Sequence, residues 1–201
     1  HLFPLYSPIY DTFLAVYCYI CSPPSVALRA PVPHPTPSQI GGQLETIRAW
    51  WRDPAVNPLG YQRPVPPLLL SEYSISWASS RRRHLGSEID ALWTAEVVGR
   101  MANLGLEMAA HFALQGTNWH GMIGMLEDPR PVYGVYRLYA HWGTTQIAVE
   151  SSDEALLPAF ASLRDDGSLA LLVVNKDPAQ ARETTVNVRG FRVGKQARVW
   201  L

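Results

Sequence analysis

The chain has 201 residues, of which 17 are Lys or Arg and 17 are Asp or Glu, and 47% are hydrophobic. That length can bury a sizeable core, and the cancelling charges give no global field that would point to nucleic acid or a membrane surface as partner. The longest apolar-looking stretch, Ile9 to Cys21, contains Asp11 and Thr12 and falls short of the roughly 20 residues needed to cross a bilayer, so a soluble chain is expected.

The chain starts at His1, with no basic region and small-residue cleavage site around an apolar segment, as expected of a processed chain or a fragment. Residues 1–6, "HLFPLY", are a strand candidate. Cys18 and Cys21 form a lone CxxC. No second pair completes a four-thiolate zinc site, and the strand and helix context of a redox motif is missing, so two ordinary thiols are expected. Thirteen of the seventeen prolines lie in the first 67 residues, and residues 22–38 read as an extended loop or insertion. A helix is predicted over 38–53, where Leu44, Ile47, Trp50 and Trp51 recur at helical spacing until Pro54 stops the pattern.

The run "PVPPLLLSEYS", 64–74, reads as a short strand buried on both faces, with Glu72 at its end. A carboxylate there is poorly solvated unless it pairs or binds something. It either caps the strand or meets Arg63 or the Arg81–Arg83 run, or it does chemistry, and the residues alone leave both open. Residues 87–104 repeat Ile89, Trp93, Val97, Met101 and Leu104 as a helix, with Ser87 and Asp90 as a capping box and Gly105 at C′. "LEMAAHFALQG" follows as a second buried strand, then the loop "GTNWHGMIGM" and a helix over 132–142. Glu127 and Asp128 precede that helix, where acids stabilise an N-terminus.

Beyond Gly143 the period changes to two. Strands are predicted in "TTQIAVE", "LPAFASLRD", "SLALLVVN", "ETTVNVRGF" and "QARVWL", with "RDDGS" as a hairpin turn. The expected organisation is an α/β part over 1–143 and a small antiparallel β-sandwich over 144–201.

The succession of "HLFP", "LLLSEYS", "LGLEMAAHFALQG", "DPRPVYGVYRLYAHWG" and "ASLRDDGSLALLVVNKDP" resembles the C-terminal half of a clan A glycoside hydrolase of the α-L-arabinofuranosidase, xylosidase and endoglucanase types. The resemblance implies the last strands of a (β/α)8 TIM barrel followed by a sandwich. Glu72 in Ser71-Glu72-Tyr73 matches the catalytic nucleophile at the end of the seventh strand, and His1 matches a histidine near it, although Phe3 stands where the family has a hydroxyl-bearing aromatic. The implied function is retaining hydrolysis of plant-type polysaccharide or oligosaccharide, without cofactor. It needs a second carboxylate roughly 5 Å from the first. The family places that acid/base in an Asn-Glu pair, and no such dipeptide occurs in the sequence. A full barrel takes about 250 residues, so the chain is expected to be a C-terminal piece, inactive alone, whose partner is the missing N-terminal half of the barrel. Secretion is expected from the family's substrates. A non-catalytic carbohydrate-binding or scaffold module is the alternative.

Around Glu72, the expected substrate-binding residues are His1, Tyr73, Trp77, Trp119 and His120. Trp77 and Trp119 either stack on a sugar or pack under a loop. Trp50, Trp51, Trp93 and Trp142 are expected in helix packing. His111, His120 and His141 lack metal-ligand spacing, and the Arg81–His84 run is expected as a solvated loop.

Overall fold

The computed structural model of the chain describes residues 14–17, 35–75, 85–116, 119–194 and 197–200. The His1–Tyr6 candidate strand, Cys18, Cys21, residues 22–34, Trp77 and the Arg81–His84 run lie outside the described residues.

Strands β1 (Leu14–Tyr17), β2 (Leu68–Tyr73) and β3 (Met108–His111) form a parallel sheet in that order. The strand beside β2 is therefore at 14–17, just ahead of the expected loop and in a stretch where no strand was expected. Its sequence, LAVY, is a short apolar run suited to a parallel strand. Helix α1 (Pro35–Arg52) begins within the expected loop. Pro35 and Pro37 are compatible with a helix because the first-turn N–H groups have no intrahelical acceptor to lose.

Helix α1 and helix α2 (Glu88–Asn103) cover one face of this sheet. Leu44 from α1, Leu68, Leu70, Tyr73 and Ile75 from β2 and its end, and Trp93, Val97 and Met101 from α2 make one buried cluster. Trp50 stays half exposed, and Trp51 donates its Nε1–H to the Arg63 carbonyl at 3.1 Å. Helix α2 ends as its sequence predicts. Gly105 takes a φ of 68°, its N–H reaches the Ala102 carbonyl at 3.1 Å, and the Leu106 N–H reaches Met101 at 3.3 Å. This is the paired-bond stop that a left-handed residue makes possible.

The expectation that β3 is buried does not hold. Ala109 packs on the helix side, but Met108 is 54% exposed, because only one face of the strand has a covering layer among the described residues.

After helix α3 (Pro131–Tyr139), strands β4 (Thr145–Ile147), β5 (Ala159–Leu163) and β6 (Leu169–Val173) form an antiparallel sheet. The "RDDGS" turn joins β5 and β6: Arg164 N–H meets the Ser168 carbonyl at 2.9 Å, and Gly167 adopts a φ of 79°. The sheet packs on α2 and α3 through Phe160, Leu172, Val174, Ala95, Val135 and Tyr139. Gly99 is needed there, since a Cβ would collide with the Phe160 ring. A buried ion pair reinforces the junction: Lys176 Nζ lies 2.8 Å from Glu96 Oε2, and Arg100 Nε lies 2.8 Å from Glu96 Oε1.

Among the described residues, three of the five expected strands form this sheet. Among the described residues of 183–191 and 197–200 there is no strand. Val186, Val193, Val199 and Trp200 are at least half exposed. Alternation alone does not make a strand without a partner edge and an apolar surface to cover.

Candidate functional site

Strand β2 is not regular where Glu72 stands. Val16 pairs with Leu70 and Tyr17 with Glu72, while on the other side Leu70 pairs with Ala109 and Tyr73 with His111. Beside both neighbours, β2 thus carries one extra residue at Ser71–Glu72, a bulge. The burial pattern shows its effect: Leu68 and Leu70 face the helices, and after the bulge Tyr73 and Ile75 do so. Ser71 and Glu72 are consequently left on the opposite face, at the C-terminal end of a parallel strand. Bulges re-aim a side chain in this way and recur beside active sites.

Tyr73, expected to contact substrate next to Glu72, points the other way. It is 2% exposed, its ring meets Trp93 and His111, and its hydroxyl bonds with that of Tyr136. The bulge that frees Glu72 turns its neighbour into the core.

Trp119 and His120 sit in the loop that follows β3. Phe112 directly extends β3, and its N–H donates to the Tyr73 carbonyl at 2.9 Å, so it lies beside the end of β2. The His120 ring meets Phe112 edge-on with centroids 5.6 Å apart. The loop is held as a small hairpin: Ala113 N–H bonds the His120 carbonyl at 3.1 Å, and Met122 N–H bonds Ala113 at 2.8 Å. Arg130 clamps its base, donating from Nη1 to the Gly121 carbonyl at 2.9 Å and stacking its guanidinium over Trp119 at 5.2 Å. Phe112 is 41% and Trp119 43% exposed, whereas His120 is buried. The structure thus groups Trp119 and His120 with Phe112 next to the strand end that carries Glu72.

Phe112 was absent from the sequence-predicted set. Counting by two from exposed Met108 would have placed it on the open face. The acids before α3 do not serve it: no acidic residue lies in its first turn, and Arg130 is its N-cap. Asp128 instead closes a turn through its carbonyl, which accepts the Gly124 N–H at 2.8 Å.

Behind the open face is a buried polar cluster of Tyr73, His111, Tyr136 and Asp90. Asp90 accepts from the Gly86 N–H at 2.9 Å and from the Thr94 hydroxyl at 3.5 Å, while the Ser87 side chain makes no capping bond, so the expected capping box is replaced by a bond to Gly86. Burial pushes the Asp90 carboxyl up to about 6, and the Gly86 and Thr94 bonds and the Arg130 charge offset this only in part. Burial pushes His111 down to about 4, repulsion from His120 adds to it, and the Ala113 backbone opposes it only in part. Neither His111 nitrogen has a hydrogen-bond partner among the described residues. Desolvation likewise raises Tyr73 to about 12, which keeps its hydroxyl protonated.

No group of three His, Cys, Asp or Glu among the described residues is placed to hold a metal ion, and no described helix is long and apolar enough to cross a membrane.

No protein-family model and no curated protein matches the sequence. Solved structures do match the fold. A bifunctional glucanase-xylanase protein from a metagenome library superposes with a TM-score of 0.54 at 18% identity, over 82% of this chain and 32% of that one. An α-L-arabinofuranosidase from Thermotoga maritima, in complex with arabinose, gives 0.54 at 18% identity, over 81% and 38%. A Paenibacillus polymyxa xyloglucanase from glycoside hydrolase family 44 gives 0.51 at 17% identity, over 82% and 34%. The chain spans about a third of the length of these structures, and its fold is similar to part of theirs.

Proposed function

We propose that Glu72 is the nucleophile of a retaining O-glycosidase site acting on plant-type polysaccharide or oligosaccharide, and that the general acid/base is contributed from outside this chain. The observation that supports this is the β2 bulge, which leaves Glu72 at the C-terminal end of a parallel strand and off the helix-covered face, next to Tyr73, whose carbonyl accepts the Phe112 N–H. In βα-built enzymes that strand end is where the chemistry sits. The matched folds belong to proteins named for action on glucan, xylan, xyloglucan and arabinofuranosides, which supports the substrate class.

In this scheme a Glu72 carboxylate oxygen attacks the anomeric carbon while the glycosidic C–O bond breaks, and the external acid donates its proton to the departing oxygen. Water then attacks the same carbon, giving its proton to that acid, now a base, as the Glu72–sugar bond breaks. Phe112 and Trp119 supply apolar faces for sugar rings. His1 joins the proposed site by family resemblance, and Trp77 by its place five residues after Glu72.

The absent Asn-Glu pair makes the expected behaviour of the isolated 201-residue chain inactivity on aryl arabinofuranosides and xylosides. In the parent polypeptide, Glu72→Gln is expected to lower kcat by at least about 1,000-fold. Normal turnover by the isolated chain that survives Glu72→Gln would sink the proposal.

A further inference from the structure

A cleft lies where the end of α3 meets the β5–β6 turn, with none of the Glu72 neighbours in its lining. It is an open cleft of about 290 Å³ lined by Trp142, Gly143, Thr144, Arg164, Asp165 and Asp166. We propose that it is a non-catalytic binding site for a single neutral sugar ring.

Gly143 explains how the cleft forms. A Cβ there would overlap the Leu163 carbonyl, so only glycine lets the chain leaving α3 approach the end of β5 this closely. The Gly143 N–H donates to Ser162 Oγ at 2.8 Å and pins the approach. Trp142, expected as helix packing, lies beyond the last residue of α3 and forms a wall of the cleft. Its ring is braced by Tyr139, with centroids 5.1 Å apart, and its Nε1–H points to Gln146 Oε1 at 3.4 Å. A braced indole is a platform whose ordering is already complete before a ligand arrives.

The polar walls select the ligand class. Asp165 Oδ1 accepts from the Thr144 hydroxyl at 3.0 Å, and Asp166 Oδ1 accepts from Ser168 N–H at 2.9 Å and from its hydroxyl. In each case Oδ2 accepts no hydrogen bond among the described residues, and the Arg164 guanidinium, whose charge attracts Asp166, donates none. Two carboxylates disfavour an anion, and they are not joined by the further ligands a metal site would need. An apolar ligand would offer no polar group to the charges of Arg164, Asp165 and Asp166. A ring with vicinal hydroxyls satisfies all of them: its hydroxyls donate to Asp165 and Asp166 and accept from Arg164, while its C–H face lies on Trp142. The volume sits at the lower end of the roughly 300–1,000 Å³ typical of small-molecule sites, which suits one ring.

The sugar class draws on the proposed function, but the site does not need Glu72. The test titrates the 201-residue chain with xylohexaose, cellohexaose and L-arabinose by calorimetry, and follows the Trp142 indole N–H by NMR. At least one sugar is expected to bind and shift that resonance. Arg164→Ala and Asp165→Asn, both at the surface and expected to fold, should weaken binding at least fivefold. No binding by the unaltered chain, or binding indifferent to both cleft variants, overturns the site. If binding instead depends on Trp119, the cleft proposal fails while the Glu72 proposal stands. Cleft binding together with a parent polypeptide whose hydrolysis ignores Glu72→Gln supports the cleft and sinks only the enzyme reading.

Discussion

On the helix-covered face of the parallel sheet, Leu68, Leu70, Tyr73 and Ile75 are at most 2% exposed, whereas on the other face Met108 and Phe112 are 54% and 41% exposed. Both sets come from the same strands and their immediate extensions. On the covered side buried polar groups pair with one another, as with Tyr73 and Tyr136 or Asp90 and Gly86. On the open side polar and aromatic groups remain accessible. One extra residue in β2 exchanges the two roles between Glu72 and Tyr73. An acid on the open face can therefore sit directly beside a core residue.

The contrast can be broken most forcefully at the buried ion pair of the helix layer. Lys176→Ala leaves the Glu96 carboxylate buried with Arg100 as its remaining partner, and a loss of about 3–5 kcal/mol is expected in urea denaturation. Replacing both members by apolar residues, as in Glu96→Leu with Lys176→Met, is expected to be close to neutral. Equal losses in the single and double variants would show that desolvation of the charge is not the cause.

The next effect is in the polar cluster, and it appears as a pH slope. Asp90 is raised from 3.8 to about 6, so the folded state holds its proton where the unfolded state has lost it. Its contribution is full below about pH 4 and is lost as pH rises through 6. His111 is lowered from 6.5 to about 4, so its contribution is full above 6.5 and is lost as pH falls through 4. The two slopes oppose each other over nearly the same window and largely cancel. Asp90→Asn should unmask stability that rises with pH between about 4 and 6.5, and His111→Gln stability that falls between about 4 and 6. Each change is on the order of 2–3 kcal/mol across its window. Denaturation midpoints that respond to pH identically in both variants would contradict the assignment.

The smallest effect belongs to the open face. Glu72→Gln should change stability by no more than about 0.5 kcal/mol, because Glu72 contributes nothing to the helix-covered core. A loss comparable to that of Lys176→Ala would mean that Glu72 is structural and would blunt the distinction between the faces.

Much of the local order is legible in the residues. Leu44 and Ile47 mark α1, Trp93, Val97 and Met101 mark the buried stripe of α2, Gly105 ends it, and Gly167 turns the β5–β6 hairpin. Each depends on chemistry within a few positions of itself. The strand at Leu14–Tyr17 was hidden because prolines nearby dominate the pattern, although they do not fall within it. Glu72 stood out as an acid closing an apolar run, yet Phe112 did not, since its importance comes from proximity to His120 and Tyr73.

The sequence by itself therefore determined the helices, the turns and the identity of the acid at the strand end, because propensity, capping and period are local properties. Only the tertiary structure decided which way that acid faces, that Tyr73 belongs to the core, that Lys176 meets Glu96 across 80 positions, and that 183–191 forms no strand. Those outcomes depend on strand register and on which surfaces are available to cover, and both are set by partners distant in the chain.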